Sequence, residues 1–166
     1  MNNILLSQHF CLDEFTKSST AIKHGIQNNP PQEAVENLRR LCANTLEPLR
    51  EELGLPVVIT SGFRTKILND LLAHSSERSQ HMQGQAADFY VAPGQSGLSR
   101  RELLIKAFRL IITSEQIDYD QLILYPSFIH VSYVSRERNR RTILLGMRNG
   151  KLGYGKCSVQ NALKIE

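Results

Sequence analysis

The segment Ser79-Gln80-His81-Met82-Gln83-Gly84-Gln85-Ala86-Ala87-Asp88 sets an imidazole and a carboxylate seven positions apart, with a glycine between them. A second histidine follows in a separate apolar run, Phe128-Ile129-His130-Val131-Ser132-Tyr133. Two histidines and one aspartate, His81, Asp88 and His130, make a three-ligand set suited to zinc. A catalytic zinc usually takes three protein ligands and keeps its fourth position for water or substrate. Closed structural sites are mostly four-ligand and rich in cysteine, which this chain does not supply near either histidine. Taken singly, each residue has an ordinary reading: a surface histidine, a strand-start aspartate and a hydrogen-bonded strand histidine.

The neighbouring residues say how such a set would be positioned. Gly84 lets the backbone turn without a Cβ penalty. Ala86 and Ala87 allow close approach of other backbone. Asp88 opens Asp-Phe-Tyr-Val-Ala, which reads as a buried strand, and a carboxylate there needs a partner. Alternation in the second run puts Phe128, His130 and Ser132 on one face and Ile129, Val131 and Tyr133 on the other.

Ser79, His81, Gly84, Ala86 and Asp88 form a Ser-x-His-x-x-Gly-x-Ala-x-Asp pattern. It resembles the signature of the zinc D-alanyl-D-alanine carboxypeptidase family, which includes phage endolysin peptidases. Ile59-Thr60-Ser61-Gly62-Phe63-Arg64-Thr65 resembles the family's segment before the first ligand. Asp120-Gln121-Leu122-Ile123 with Ile129-His130-Val131-Ser132 resembles its last-ligand region. N-terminal segments such as Ser7-Gln8-His9-Phe10 and Leu12-Asp13-Glu14-Phe15 look like the compact phage-type branch. The likeness spans roughly residues 5 to 135. It implies His81, Asp88 and His130 as zinc ligands and Arg64 as the group that binds a substrate carboxylate or carbonyl, a task that suits its planar fork. Ser79 and Gln80 are expected to supply outer hydrogen bonds to the ligands or to substrate. The implied reaction is hydrolysis of peptide bonds in peptidoglycan stem or cross-link peptides, by a lysis enzyme of phage or prophage.

One position departs from the pattern. Many members carry an acid three residues before the last histidine, as general base; here it is Ser127. A serine is no base at neutral pH without its own activator. Asp120, the nearest acid upstream, is one replacement, ahead of Asp118 or a glutamate. A second solution relies on zinc alone to acidify water, with Tyr125 polarising the carbonyl or stabilising the oxyanion. A third is a catalytically silent zinc protein that binds cell wall or serves a structural role.

The chain must also fold around these groups. Its 166 residues suit one domain, 1–166, with a proper core. Hydrophobic residues make up 41% and charged residues 22%, and no apolar run is long enough to span a membrane. The N-terminus lacks the features of a signal peptide, so a wall-directed enzyme made in the cytoplasm would need delivery or release. The net charge of +4 favours contact with an anionic wall. No nucleic-acid motif accompanies it, and a DNA- or membrane-binding module rests on charge alone. A monomer is expected. The basic cluster Arg136-Glu137-Arg138-Asn139-Arg140-Arg141 reads as a solvated turn between strands. Three scattered cysteines argue against a disulfide framework and for a reducing compartment. His9, His24 and His74 are expected not to be ligands, with His9 a structural contact.

Leu12 to Phe15 starts a short helix. Val35, Leu38, Leu41, Leu46, Leu49 and Leu53 recur at helical spacing after Pro31, with Cys42 on the same face. Pro48 predicts a kink or break near Asn44 to Glu47, and Gly54 ends the helix. A strand at 57–60, a short helix at 65–73 and a polar loop at 74–82 lead to the ligands. Ser99 caps a helix through Ser114. Strands are predicted at 121–125, 128–134, 142–146 and 151–155, with Asn149-Gly150 as a hairpin turn. This order points to an α+β domain with a mostly antiparallel sheet and helices packed to one side. The family likeness adds a zinc cleft on the open sheet face, in the D-Ala-D-Ala carboxypeptidase or hedgehog-like fold.

Overall fold

The computed structural model describes residues 4–73, 75–148 and 151–165. The readings of His74 as a non-ligand and of Asn149-Gly150 as a hairpin turn fall outside them. Six strands form one sheet: β1 (Val57–Ser61), β2 (Ala86–Val91), β3 (Gln121–Leu124), β4 (Ile129–Ser132), β5 (Thr142–Arg148) and β6 (Lys151–Lys156), in the order β1-β2-β4-β3-β5-β6. Every neighbouring pair is antiparallel except β3 with β5, which run parallel. The sheet is therefore mixed, with the expected antiparallel majority.

Strand alternation separates two faces. Ala87, Phe89 and Val91 of β2, Leu122 and Leu124 of β3, Ile129 and Val131 of β4 and Ile143 of β5 join the core. The other face carries Asp88, His130, Ile123 and Leu144, which line an open cleft. Helices cover the first face. α1 (Leu12–Thr16) and α2 (Ser19–Lys23) lead to α3 (Gln32–Leu41) and α4 (Glu47–Leu53), and α6 (Arg100–Thr113) runs between β2 and β3. Leu38, Leu41, Leu46, Leu49, Leu103, Leu104, Phe108 and Ile111 are fully buried. Each such side chain contributes about 1.5–3 kcal/mol when taken from water. Ser99 caps α6, with Glu102 completing a reciprocal capping box. Among the described residues no helix is long and apolar enough to cross a membrane.

The predicted break before Pro48 takes another form. The helix does not stop; it widens into a π turn at Cys42–Leu46, where the Glu47 N–H donates to the Cys42 carbonyl five residues back. Proline has no N–H to give the Asn44 carbonyl, so the extra residue is accommodated just ahead of it. The turn directs Thr45 and Glu47 inward, and both are satisfied. Thr45 Oγ1 donates to the Asp118 carbonyl at 2.6 Å. The Glu47 carboxylate accepts from Ser7 Oγ at 2.6 Å and pairs with His9 Nδ1, so His9 is a structural contact.

The segment before Asp88 is more ordered than a polar loop. Thr65 caps α5 (Lys66–Leu71), and Gln80–Gln83 form a 3-10 turn that buries His81. Gly84 closes that turn at φ +67°, where a Cβ would sit 2.3 Å from the Ala34 carbonyl oxygen of α3. No L side chain fits this position without moving helix or ligand turn. Gly84→Ala is expected to cost at least about 2 kcal/mol, the sum of left-handed strain and displaced backbone. Thermal unfolding should show a fall in midpoint of about 5 °C or more; an unchanged midpoint would contradict this packing.

Candidate metal centre

Asp88 and His130 are direct cross-strand partners on β2 and β4, so the pleat points both side chains to the open face. His81 arrives from the 3-10 turn. His130 Nδ1 lies 2.8 Å from Asp88 Oδ1, His81 Nε2 lies 3.3 Å from the same oxygen, and the two ring nitrogens are 3.2 Å apart. Among the described residues this is the group of histidine, cysteine and acidic side chains that could hold a metal ion. The separations approach the roughly 3.3 Å edge of a tetrahedron with bonds of about 2.0 Å, and the two-nitrogen, one-oxygen set is a zinc donor set.

Each donor is held from behind. His81 is 3% exposed, and its Nδ1 lies 2.7 Å from the Gly62 carbonyl oxygen. A carbonyl only accepts, so Nδ1 carries the proton and Nε2 presents its lone pair to the cleft. Burial pushes the His81 imidazole below its ordinary pKa, against the pull of Asp88. The ring is thus neutral at pH 7, the form a metal requires. The Arg64 N–H donates to the His81 carbonyl at 3.2 Å, which ties the two segments together. Arg64 Nη2 donates to Asp88 Oδ2 at 3.0 Å, leaving Oδ1 toward the histidines. Burial opposes ionisation of Asp88, but its interactions with His81 and His130 outweigh that and hold the carboxyl well below the usual range.

Arg64, placed by family likeness against a substrate carboxylate, is therefore an outer partner of the aspartate. It also lines the cleft, and its Nε and Nη2 both donate to Ser61 Oγ. Asn28 fixes its backbone: the side-chain amide donates to the Thr16 and Phe63 carbonyls and accepts from the Thr65 N–H, all at 2.9 Å. In the sequence Asn28 belongs to a run that reads only as a helix breaker.

The cleft has a volume of about 870 Å³ and is bordered by Ser79, Gln80, Asp120 and Tyr125 as well as the triad. Asp120 is 1% exposed and heavily engaged. Arg140 donates from its backbone N–H and Nε to Oδ1 at 2.8 and 2.9 Å, and from Nη2 to Oδ2 at 2.5 Å. Gln80 Nε2 donates to Oδ2 at 2.9 Å. Burial opposes ionisation of Asp120 too, but the Arg140 hydrogen bonds outweigh it and keep the carboxyl below its ordinary pKa. That makes it a weak proton acceptor. Asp118 is buried and bonded to Arg141 Nη2 at 3.0 Å. The basic cluster is accordingly more than a solvated turn: two of its arginines neutralise buried aspartates. Arg141 adopts φ +49°, and the N–H groups on either side of it, at Arg140 and Thr142, both reach Asp120.

Ser127 is exposed. Tyr125 stacks on Phe128 with ring centroids 4.3 Å apart. Its ring lies against Gly146, where a Cβ would come within 2.3 Å of Cδ1. The absence of a side chain at 146 is what seats the tyrosine on the cleft floor.

His81→Ala and His130→Ala are each expected to abolish stoichiometric zinc uptake, measured by metal analysis after dialysis. Full uptake by either variant would overturn the ligand assignment. Arg64→Ala should keep the three ligands but weaken zinc affinity by about 10–100-fold.

No curated protein sequence matches this chain. The family model Peptidase M15 matches residues 8–132, a span that holds the three candidate ligands His81, Asp88 and His130, together with Arg64, Gln80 and Asp120. With a buried His-Asp-His set on the open face of a mixed sheet, the chain belongs to the Peptidase M15 family, the zinc metallopeptidases of the D-Ala-D-Ala carboxypeptidase type.

Proposed function

We propose that this protein is a zinc-dependent peptidase that hydrolyses amide bonds in peptidoglycan stem or cross-link peptides, as a lysis enzyme of phage or prophage delivered to the wall. The convergence of His81, Asp88 and His130 in a large open cleft carries the reading. Zinc held there supplies Lewis-acid polarisation of a peptide carbonyl and acidifies water. The chain's own residues supply the rest. The Gly62 carbonyl keeps His81 in the ligating tautomer, and Arg64 keeps Asp88 aimed. Tyr125 is assigned to hydrogen-bond the carbonyl oxygen as negative charge develops on it. Asp120 is assigned a positioning role: it fixes Gln80, and through it the turn that carries His81.

A second reading is favoured by one observation. The two carboxylates that border the cleft, Asp88 and Asp120, are both paired with arginine, and the position three before His130 is Ser127. A protein that keeps zinc without a free base would bind wall peptides and not cut them.

Mass spectrometry of purified peptidoglycan after incubation with the zinc-loaded protein separates the two. New peptide termini that vanish with chelator are expected; none from a sample holding one zinc per chain would favour the silent protein. Asp120→Asn should lower kcat while leaving the acid limb of the pH profile in place. Loss of that limb would make Asp120 the base after all.

A further inference from the structure

The cleft is polarised along β3. Ile123 lies opposite His130 in the register, which puts the metal ligands beside the middle of the strand. Asp120, immediately before β3, anchors Arg140 and Gln80 at one end. Tyr125, immediately after it, stacks with Phe128 at the other. From Gln121 to Tyr125 the chain advances roughly 13 Å at about 3.3 Å per residue. An extended peptide of about four residues would span the same length.

The two ends differ in chemistry. At the Tyr125 end the wall is aromatic. Arg78 and Arg138, each two residues before a side chain bonded to Asp120, also line the cleft. Arg64 and Arg140 are matched one to one by Asp88 and Asp120. Neither Arg78 nor Arg138 forms an ion pair with a carboxylate among the described residues, and the Arg138 charge acts on Glu137. Their sequence neighbours Glu77 and Glu137 do not line the cleft. The wall thus carries two guanidinium groups that no carboxylate lining the cleft pairs with, on the segments that hold Asp120. A guanidinium pairs with a carboxylate through two parallel hydrogen bonds, and a cleft of one sign focuses its field on the ligand.

We propose that Arg78 and Arg138 form an anionic subsite that binds a carboxylate-bearing residue on one side of the scissile amide, while Tyr125 and Phe128 take an apolar side chain on the other. The placement of the scissile bond rests on the peptidase reading above; the subsite itself does not. The substrate class is then an acidic peptide with a small apolar segment, bound extended along β3.

Calorimetric titration of the full-length, chelator-treated protein tests this without turnover. The probes are acetylated, amidated tetrapeptides, Leu-Ala-Ala-Glu and Glu-Ala-Ala-Leu, against the same peptides with Gln for Glu. In one of the two orders the Glu peptide is expected to bind at least about tenfold more tightly at low salt, with the preference shrinking as salt rises. Arg78→Ala/Arg138→Ala should erase that preference and leave affinity for the Gln peptide unchanged. Exchange of Leu for Ser should weaken binding in both backgrounds. Equal affinity for the Glu and Gln peptides, or a preference that survives the double substitution, would overturn the subsite. Tighter binding of a phosphoserine peptide than of the Glu peptide would overturn its assignment to a carboxylate. The same peptides offered to zinc-loaded protein keep the two ideas apart. A protein that prefers Glu but cuts nothing loses the peptidase reading and keeps the subsite. One that cuts both with equal affinity does the reverse.

Discussion

A buried negative charge at Asp88 is the constraint around which this structure is arranged. A carboxylate taken out of water costs several kcal/mol unless cations and donors replace the lost hydration. Here Arg64 donates to one oxygen, and the other faces the two imidazole nitrogens with which it would share a metal ion. The two oxygens are thereby given separate tasks. Everything that fixes Arg64, from Asn28 to Ser61, is in effect part of the metal site. So is the Gly62 carbonyl, since its bond to His81 decides which nitrogen faces the aspartate.

The second buried carboxylate solves a different problem. Asp120 joins the start of β3, the 3-10 turn of His81 and the chain returning to β5. The turn that carries His81 is distant in sequence from the other two and pairs with neither in the sheet, while β3 and β5 run side by side. A polar hub can hold them only if it is fully satisfied, because a half-paired buried carboxylate destabilises more than an apolar replacement would. Arg140 meets this condition with three donors, and Gln80 adds a fourth. The same saturation that makes Asp120 a good anchor makes it a poor base, so structural service and proton transfer compete at this residue.

The π turn shows a similar economy on the core side. Pro48 removes one helical hydrogen bond, and the added residue lets Thr45 and Glu47 point inward. Glu47 then receives the N-terminal segment through Ser7 and His9, and Thr45 receives the Asp118 carbonyl ahead of β3. One irregularity in a helix thus ties the chain's beginning to the strand that lines the cleft.

Periodicity along the chain determined the core. Apolar spacing from Val35 to Leu53 and from Leu103 to Ile111 was legible because burial follows the 3.6-residue period wherever a helix must cover a sheet. Alternation around His130 likewise told its face, and the donor types at 81, 88 and 130 pointed to a set that could hold a metal, since ligand preference is a property of the side chain itself. The pairings were not legible. Arg64 reads as a surface or substrate arginine and becomes the partner of Asp88; Arg140 reads as part of a solvated run and becomes the partner of Asp120. Gly146 gives no local hint that a tyrosine twenty-one positions earlier rests on it. Such choices depend on which strands become neighbours and in what register. The order β1-β2-β4-β3-β5-β6, with a single parallel pair, is fixed by long-range packing that no local pattern encodes. The chain's own residues name the donors and the core; only tertiary structure decides which charge meets which.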